Sequence, residues 1–255
     1  MGMGMRINVR SNTSNVEQRI RALGGQVTFA AAVALTRAAK DAQDAERREM
    51  MRAFDRPTNY ALNGTFLKPA TKQNLEARIW VKDNPFGKGT PADRFLLPEI
   101  YGGKRGQKGF ERMLQRAGLL PAGWFAVPAA GAQLDANGNV KRSQITQILS
   151  QLQVQAGAGY ESRRSNSAAS QRTVRRQGVT YFAVPVAHRG LKAGIYFRRK
   201  FGHGVAVRPV FIFVPRLQYK PLFKFFEVGQ AVAEERFKHH FGAEIDKAIA
   251  TARLR

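Results

Sequence analysis

The sequence predicts an α+β fold in which an antiparallel β-sheet is flanked by a long N-terminal helix and a long C-terminal helix. Apolar residues recur at helical spacing near both ends of the chain. Between them lie short alternating or apolar runs bounded by Gly and Pro. We expect a single domain over 1–255, with 84–178 as a loop-rich, irregular basic insertion that contains two short helices.

The N-terminal helix is predicted over residues 26–54. Its apolar stripe alternates spacings of four and three and consists of Ala31, Leu35, Ala38, Ala42 and Ala45. The opposite face carries Arg37, Lys40, Asp44, Arg47 and Arg48. Because alanine is small, this stripe favours the close approach of another backbone. Asp55-Arg56-Pro57 is expected to end the helix, since the residue before a proline resists helical geometry.

The middle of the chain is predicted to hold short elements between loops. Alternation in LEARIWVKD indicates a half-buried strand, and Phe110, Met113, Leu114 and Ala117 fall at helical spacing before Gly118. The predicted elements are a strand over 75–83, a long loop over 84–109, a helix over 110–117, a strand over 123–128, an Asn-Gly turn within 134–140, and a helix over 143–153 with Ser143 as its N-cap.

The last third is predicted to be a basic loop or arm, three strands and a helix. Residues 156–178 lack periodicity and are rich in Ser, Gly and Arg. Strands are expected at 181–186, 194–199 and 208–215, with Pro185, Pro209 and Pro215 at edges or strand ends. The final helix is expected over 221–252, opened by Pro221 and striped by Phe237, Phe241, Ile245 and Ile249.

The charge distribution is the strongest functional signal. The chain has 255 residues and a formal net charge of +24, and it contains no cysteine. From Ser162 to Phe226 it has fourteen Lys and Arg and no Asp or Glu. A solvated basic face usually keeps some acids among its bases. This stretch therefore predicts a surface that faces a polyanion, although a merely basic surface is the alternative.

The residues predicted to contact a polyanion or a partner protein lie in the glycine-rich loop GGKRGQKG and in the basic arm. They are Lys104, Arg105, Lys108, Arg163, Arg164, Arg172, Arg175 and Arg176. Glycine lets a backbone approach a partner closely. The loop lacks the aromatic residues expected of single-strand binders. Any DNA contact is therefore expected to be made to phosphates, independently of base sequence.

Enzymatic chemistry is not expected. PFGKGT at 85–90 departs from a phosphate-binding P-loop, because Lys82 stands where the first Gly belongs and Gly89 follows the Lys. LDANGN departs from a calcium loop, because Thr146 stands where a bidentate Glu is required. The His and carboxylate spacings predict no metal site and no cofactor. The apolar runs are too short for a membrane span, so a soluble protein made inside the cell is expected.

Five stretches of the chain resemble minor tail proteins of the Z type from lambdoid tailed phages and their prophages. FAAAVALTRAAKDAQDAERREM (29–50) and the segment 54–83 are similar to the long first helix and following strand of that family. Segments 91–128 and 134–152 resemble a longer branch of the family, and 208–237 resembles its strand-then-helix ending. The stretch 84–178 is the departure, because the short Z proteins lack it.

The resemblance implies a structural virion protein rather than an enzyme. Such a protein completes the head-proximal end of the tail, or neck, so that head and tail can join. It forms a ring of identical copies around the DNA channel. The implied partners are copies of itself, adjacent neck, tail-terminator or tail-tube proteins, and double-stranded DNA in the channel through phosphate contacts, with no membrane. The implied location is the virion, after assembly in the bacterial host cytoplasm.

Two alternatives stay open from the sequence. One is a non-specific nucleic-acid-binding protein that acts outside the virion. The other is that the basic surface meets an acidic protein rather than DNA.

Overall fold

The computed structural model of the chain describes residues 7–9, 25–84, 89–154, 178–202 and 204–251. Its helices are α1 Gly25–Ala53, α2 Asn59–Leu62, α3 Asp93–Tyr101, α4 Gly109–Arg116, α5 Arg142–Gln151 and α6 Phe225–Thr251. Its strands are β1 Ile7–Val9, β2 Thr65–Lys68, β3 Ala77–Val81, β4 Gly103–Lys104, β5 Phe125–Pro128, β6 Val179–Val184, β7 Gly194–Phe201, β8 Gly204–Val214 and β9 Gln218–Tyr219. The mixed α+β class with long terminal helices is confirmed.

The contacts group the chain into two compact units, 1–103 with 219–255, and 104–218. These boundaries differ from the predicted insertion over 84–178, because the three strands after residue 178 belong to the second unit. The predicted strands were expected to form one sheet. Instead they are divided between two antiparallel sheets, ordered β1-β3-β2 in the first unit and β5-β8-β7-β6 in the second.

In the first unit, α1 and α6 pack against each other and against the sheet β1-β3-β2. They run antiparallel, because Arg37 pairs with Glu244 while Asp41 contacts His240. The predicted alanine stripe is confirmed, and all five of its residues are buried. The predicted opposite face of α1 is exposed. Alternation in β3 is also confirmed, with Ala77, Ile79 and Val81 buried.

The expected loop over 84–109 is wrong, because it contains the nine-residue helix α3. Pro98 lies inside this helix and removes one backbone hydrogen bond. Leu96 and Ile100 compensate for that loss, since both are buried in the core of the first unit. The sequence pattern also missed β2, which pairs with β3 from Thr65 opposite Val81.

The last helix begins at Phe225 rather than at the expected residue 221. The residues just ahead of it are not helical, and the backbone N–H groups of Leu222 and Phe223 both donate to the carbonyl of Glu99. Phe223 and Phe225 then insert into the core, where their rings make an edge contact at 5.6 Å. Tertiary packing has therefore overridden the favourable position of Pro221 for a helix start.

In the second unit, a four-stranded sheet packs its apolar residues against α4 and α5. The helix over 110–117 is confirmed, and Gly118 adopts a φ of 70° after it. The Asn-Gly turn is also confirmed, since Asp135 Oδ1 accepts the backbone N–H groups of Asn137 and Asn139. The Ser143 N-cap is wrong, because α5 begins one residue earlier and Lys141 is its N-cap.

The expectation that Pro209 lies at a sheet edge or a strand end is wrong, because β8 is an inner strand of the sheet and extends on both sides of this residue. Pro209 lies opposite Tyr196, beside an irregularity in the pairing of β7 with β8. Strand β5 pairs only with residues 211–214 of β8, so the missing N–H of Pro209 breaks no bond to that strand. The last described residue before the basic arm is 154 and the first after it is 178, so the predicted arm over 156–178 lies almost wholly outside the described residues.

Candidate polyanion and subunit contact surfaces

The glycine-rich loop places its three predicted contact residues in different environments. Lys104 is exposed, and Lys108 is exposed at the N-cap of α4. Arg105 is not on the surface, because its side chain is only 9% exposed. Thus two of the three loop residues are available to a partner, and Arg105 is withdrawn from the predicted contact set.

Arg105 forms a buried ion pair with Glu111. Its Nη1 lies 2.7 Å from Glu111 Oε2, and its Nη2 lies 2.5 Å from Oε1, so the pair is bidentate. The guanidinium carbon also lies 4.9 Å from the centre of the Phe125 ring. Fork-shaped pairing and a ring contact fix an arginine in one orientation. The loop is therefore held by its arginine instead of offering it to an anion.

The Glu111 side chain is fully buried and fully hydrogen-bonded. Besides Arg105, it accepts the backbone N–H of Lys108 at 2.7 Å and that of Ala126 at 2.9 Å. Burial alone would raise the pKa of Glu111, but the hydrogen bonds from Arg105, Lys108 and Ala126 and the charge of Arg105 lower it below its ordinary value. The carboxylate therefore joins the loop, the start of α4 and strand β5 as a charged structural group.

The other five predicted contact residues lie outside the described part of the chain. They are Arg163, Arg164, Arg172, Arg175 and Arg176. Their role stays a prediction.

The sequence reasoning missed a basic surface on the β7–β8 hairpin. Arg198, Arg199, Lys200 and Arg208 are all exposed on these two strands. Phe201 and Val205 beside them are each 56% exposed. The signal was available as the run Arg-Arg-Lys-Phe within the acid-free stretch, but a run of bases in a strand does not show which faces are covered. We call Arg198, Arg199, Lys200 and Arg208 the hairpin cations.

A second surface lies along the later half of α6. Phe237 and Phe241 stack with ring centres 5.4 Å apart, and both remain partly exposed, as does Ile245. The predicted stripe is therefore present on this helix but only partly covered, and the side chain of its last member, Ile249, is outside the described set. A partly exposed aromatic stripe on a helix is a typical contact surface for another protein chain.

Glu46 is the other buried carboxylate, and its surroundings differ from those of Glu111. Its side chain is 0% exposed and neither oxygen has a hydrogen-bond partner. Burial raises its pKa to about 9. At neutral pH the group is therefore protonated and uncharged. It is a buried carboxyl group without a hydrogen-bond partner, which is unfavourable for the stability of the fold.

Two clefts were considered as small-molecule sites. One, of about 390 Å³, is lined by Gly25, Gln26, Thr28, Phe29 and Lys72, and another, of about 240 Å³, lies around Arg47 and Lys82. The first has Lys72 as its charged lining residue. The second brings Asp44, Thr65 and Lys82 together, but Thr65 Oγ1 accepts a hydrogen bond from Gln43 and Lys82 Nζ donates to the carbonyl of Asn63. Among the described residues, no cluster of three or more His, Asp or Glu side chains could hold a metal ion.

No protein-family model, no curated protein and no solved structure matches this chain. Within the described ranges, no helix is both long enough and apolar enough to cross a membrane.

Proposed function

We propose that this chain is a non-enzymatic structural protein of a tailed-phage particle. It acts at the head-proximal end of the tail, in the neck, where identical copies form a ring around the DNA channel and allow head and tail to join. It needs no cofactor. Its partners are copies of itself, adjacent neck, tail-terminator or tail-tube proteins, and the double-stranded DNA inside the ring.

Resemblance to the Z-type tail proteins supplies the phage part of this proposal. The resembling segments 29–50 and 54–83 correspond to α1, α2, β2 and β3, which form much of the first unit. Segment 208–237 corresponds to the end of β8 and the first half of α6. Helices α1 and α6 are the long helices of the first unit, whereas β8 belongs to the second unit.

The single observation that carries the DNA part is the exposure of bases in an acid-free stretch. From 178 to 226 the chain has no Asp or Glu, and the hairpin cations are exposed on two neighbouring strands. Self-repulsion between so many bases destabilises a compact protein unless a polyanion or an acidic partner neutralises them. DNA that passes through a ring would supply that neutralisation to every copy.

Support for a ring comes from the surfaces of α6. Its partly exposed stripe of Phe237, Phe241 and Ile245 lies on a rigid element that α1 already holds from one side. When such a patch meets a different patch of the next copy, the head-to-tail contacts close into a ring if the rotation permits. We expect this stripe to contribute to the contact between neighbouring copies.

Mass spectrometry of purified phage particles and of the host extract tests the proposal. We expect the chain in the particle, and electron microscopy of isolated necks should show it as a ring around the channel. Its presence in the host extract and absence from the particle would favour the non-specific nucleic-acid-binding protein and reject the virion role.

The contribution of α6 can be tested on the recombinant full-length chain. Phe241→Gln should lower the fraction of oligomer seen by native mass spectrometry, because it places an amide in the aromatic stripe. Lys238→Gln, at an exposed position of the same helix, is the matched control and should assemble normally. Unchanged assembly of a folded Phe241→Gln variant would contradict the role of this stripe.

A further inference from the structure

We propose that the β7–β8 hairpin is a duplex-DNA contact that accepts phosphates on both of its faces. This inference rests on the proposed function for the presence of DNA, and it assigns the contact to residues outside the predicted loop and arm. It is carried by the geometry of the two strands, by the placement of the hairpin cations and by the lack of carboxylate partners for them in the part of the chain that the structure describes.

The distal part of the hairpin is a two-stranded ribbon. Strand β6 pairs with β7 only as far as Arg199, which lies opposite Val179. On the other side, pairing to β8 from β5 and the loop after it ends at the carbonyl of Pro209. Within the described residues, only Lys200 and Phe201 with Gly204 and Val205 therefore have no further strand on either side. Arg198, Arg199 and Arg208 lie next to this ribbon, where β6 still borders β7. Such a ribbon is narrow enough to enter the major groove of B-DNA, which is about 12 Å wide.

The register places the hairpin cations on both faces of the β7–β8 hairpin. Arg198 lies opposite Val207 and Lys200 opposite Val205, so these two bases share one face. Arg199 lies opposite Ala206, while Arg208 lies opposite Phe197, which puts Arg199 and Arg208 on the other face. Cations on one face of the hairpin would be enough to contact a flat anionic protein surface. Cations on two faces can contact phosphates on both sides of a DNA groove.

Aromatic rings support two of the four cations. The guanidinium carbon of Arg198 lies 5.5 Å from the centre of the Phe182 ring, and that of Arg199 lies 5.5 Å from the centre of the Phe201 ring. Phe182 itself stacks on the buried Tyr196 at 5.7 Å. An arginine held over a ring loses less side-chain freedom on binding than a free one. The two arginines are therefore partly positioned before a ligand arrives.

Charge complementarity favours DNA as the occupant. Among the described residues, none of the hairpin cations forms an ion pair with a carboxylate. The strands themselves contain no Asp or Glu. Cations on two faces match a duplex better than they match an acidic protein surface. Binding to an acidic protein is the alternative that the experiment can reveal.

The test uses the full-length chain and a fluorescent duplex of about 30 base pairs, because phosphate contacts give a measurable dependence of affinity on salt. The hairpin variant is Arg199→Ser with Lys200→Ser and Arg208→Ser. A matched control removes three exposed bases elsewhere in the same unit, through Arg116→Ser, Lys141→Ser and Lys192→Ser. Both variants lose the same charge, so a difference between them reports position.

We expect the hairpin variant to lower the slope of log affinity against log salt by up to about 2.7, at about 0.9 for each phosphate that is no longer neutralised. The control should lower it by less than about 1. Arg199→Lys with Arg208→Lys should keep the parent slope, because lysine retains the charge. Circular dichroism and urea unfolding of each variant establish that the fold is intact.

Equal losses in the hairpin variant and the control would overturn the inference, as would an unaffected hairpin variant. Displacement of the duplex by polyglutamate as effectively as by unlabelled DNA would overturn it in favour of an acidic protein. If the chain forms neck rings but its DNA binding does not depend on the hairpin cations, only this inference is refuted. If the hairpin cations bind DNA but the chain is absent from the particle, only the virion role is refuted.

Discussion

Glu46 and Glu111 are both fully buried, yet their carboxyl groups contribute to the structure in opposite ways. Glu111 is held by a bidentate arginine and two backbone N–H groups, and its pKa is lowered. Glu46 has no hydrogen-bond partner for either oxygen, and burial raises its pKa to about 9. An unpartnered buried polar group costs free energy, whereas a fully satisfied one fixes the fold.

The pH dependence of stability should reveal Glu46. In the unfolded chain this group loses its proton near its ordinary pKa of 4.5, but in the folded chain it keeps the proton up to about pH 9. Its contribution is therefore fully present below about pH 4.5 and is lost as the pH rises towards 9, by about 1.4 kcal/mol per pH unit. Glu46→Met removes this loss, and we expect it to stabilise the protein by about 2 kcal/mol or more at about pH 8.

Urea unfolding at about pH 6 and about pH 8 measures this effect as a difference between the two conditions. Glu235→Met replaces an exposed carboxylate of α6 by the same side chain and serves as the control. The explanation fails if Glu46→Met and Glu235→Met change stability by the same amount at both pH values.

At the scale of an element, small residues decide how closely backbones approach. Ala38 and Ala42 belong to the predicted stripe of α1 and are 0% exposed, as is Ala39, which the stripe did not include. In the second unit Gly194 has the same function at the start of β7. A Cβ atom built there would lie 2.3 Å from the carbonyl oxygen of Phe211, which is backbone and cannot turn away.

Gly194→Ala should therefore destabilise the chain and disturb the pairing of β7 with β8. Because overpacking typically costs about 1–3 kcal/mol, we expect a loss of at least about 2 kcal/mol in urea unfolding. Gly204→Ala is the matched control in the same hairpin, because nothing lies within 4 Å of its Cβ position. Comparable stabilities of the two variants would show that β7 and β8 approach each other less closely than described.

At the scale of the whole molecule, a net charge of +24 opposes the folded state. Salt shortens the screening length from about 30 Å at about 0.01 M to about 8 Å at about 0.15 M. We expect the urea midpoint to rise over this range. The reason is that salt weakens the repulsion between the many basic side chains, and this gain is larger than the loss from weakened ion pairs. Urea is the suitable denaturant, since guanidinium chloride is itself a salt. A midpoint that falls with added salt would contradict this explanation.

The sequence pattern predicted local elements but not the organisation of the whole molecule. The alanine stripe of α1, the alternation of β3 and the turn around Gly138 are local signals, and each was predicted correctly. Helix α3 was missed because Pro98 and the surrounding Gly, Pro and Lys residues resemble a loop, whereas its stability comes from burying Leu96 and Ile100. The sheet pairings are equally non-local, since Ile7 lies opposite Ile79 and Pro128 opposite Phe211.

The candidate contact residues also fall into those that the sequence predicted correctly and those that only the packing decided. The charge pattern was enough to find the acid-free stretch and the two exposed lysines Lys104 and Lys108, because composition and local spacing do not depend on the fold. It could not separate Arg105 from these two lysines, since only packing brings Glu111 and Phe125 around that guanidinium. By itself the sequence determined the long helices and the basic character of the chain. Tertiary structure alone decided which cations face outward, because strand register and burial are set by residues far apart in the chain.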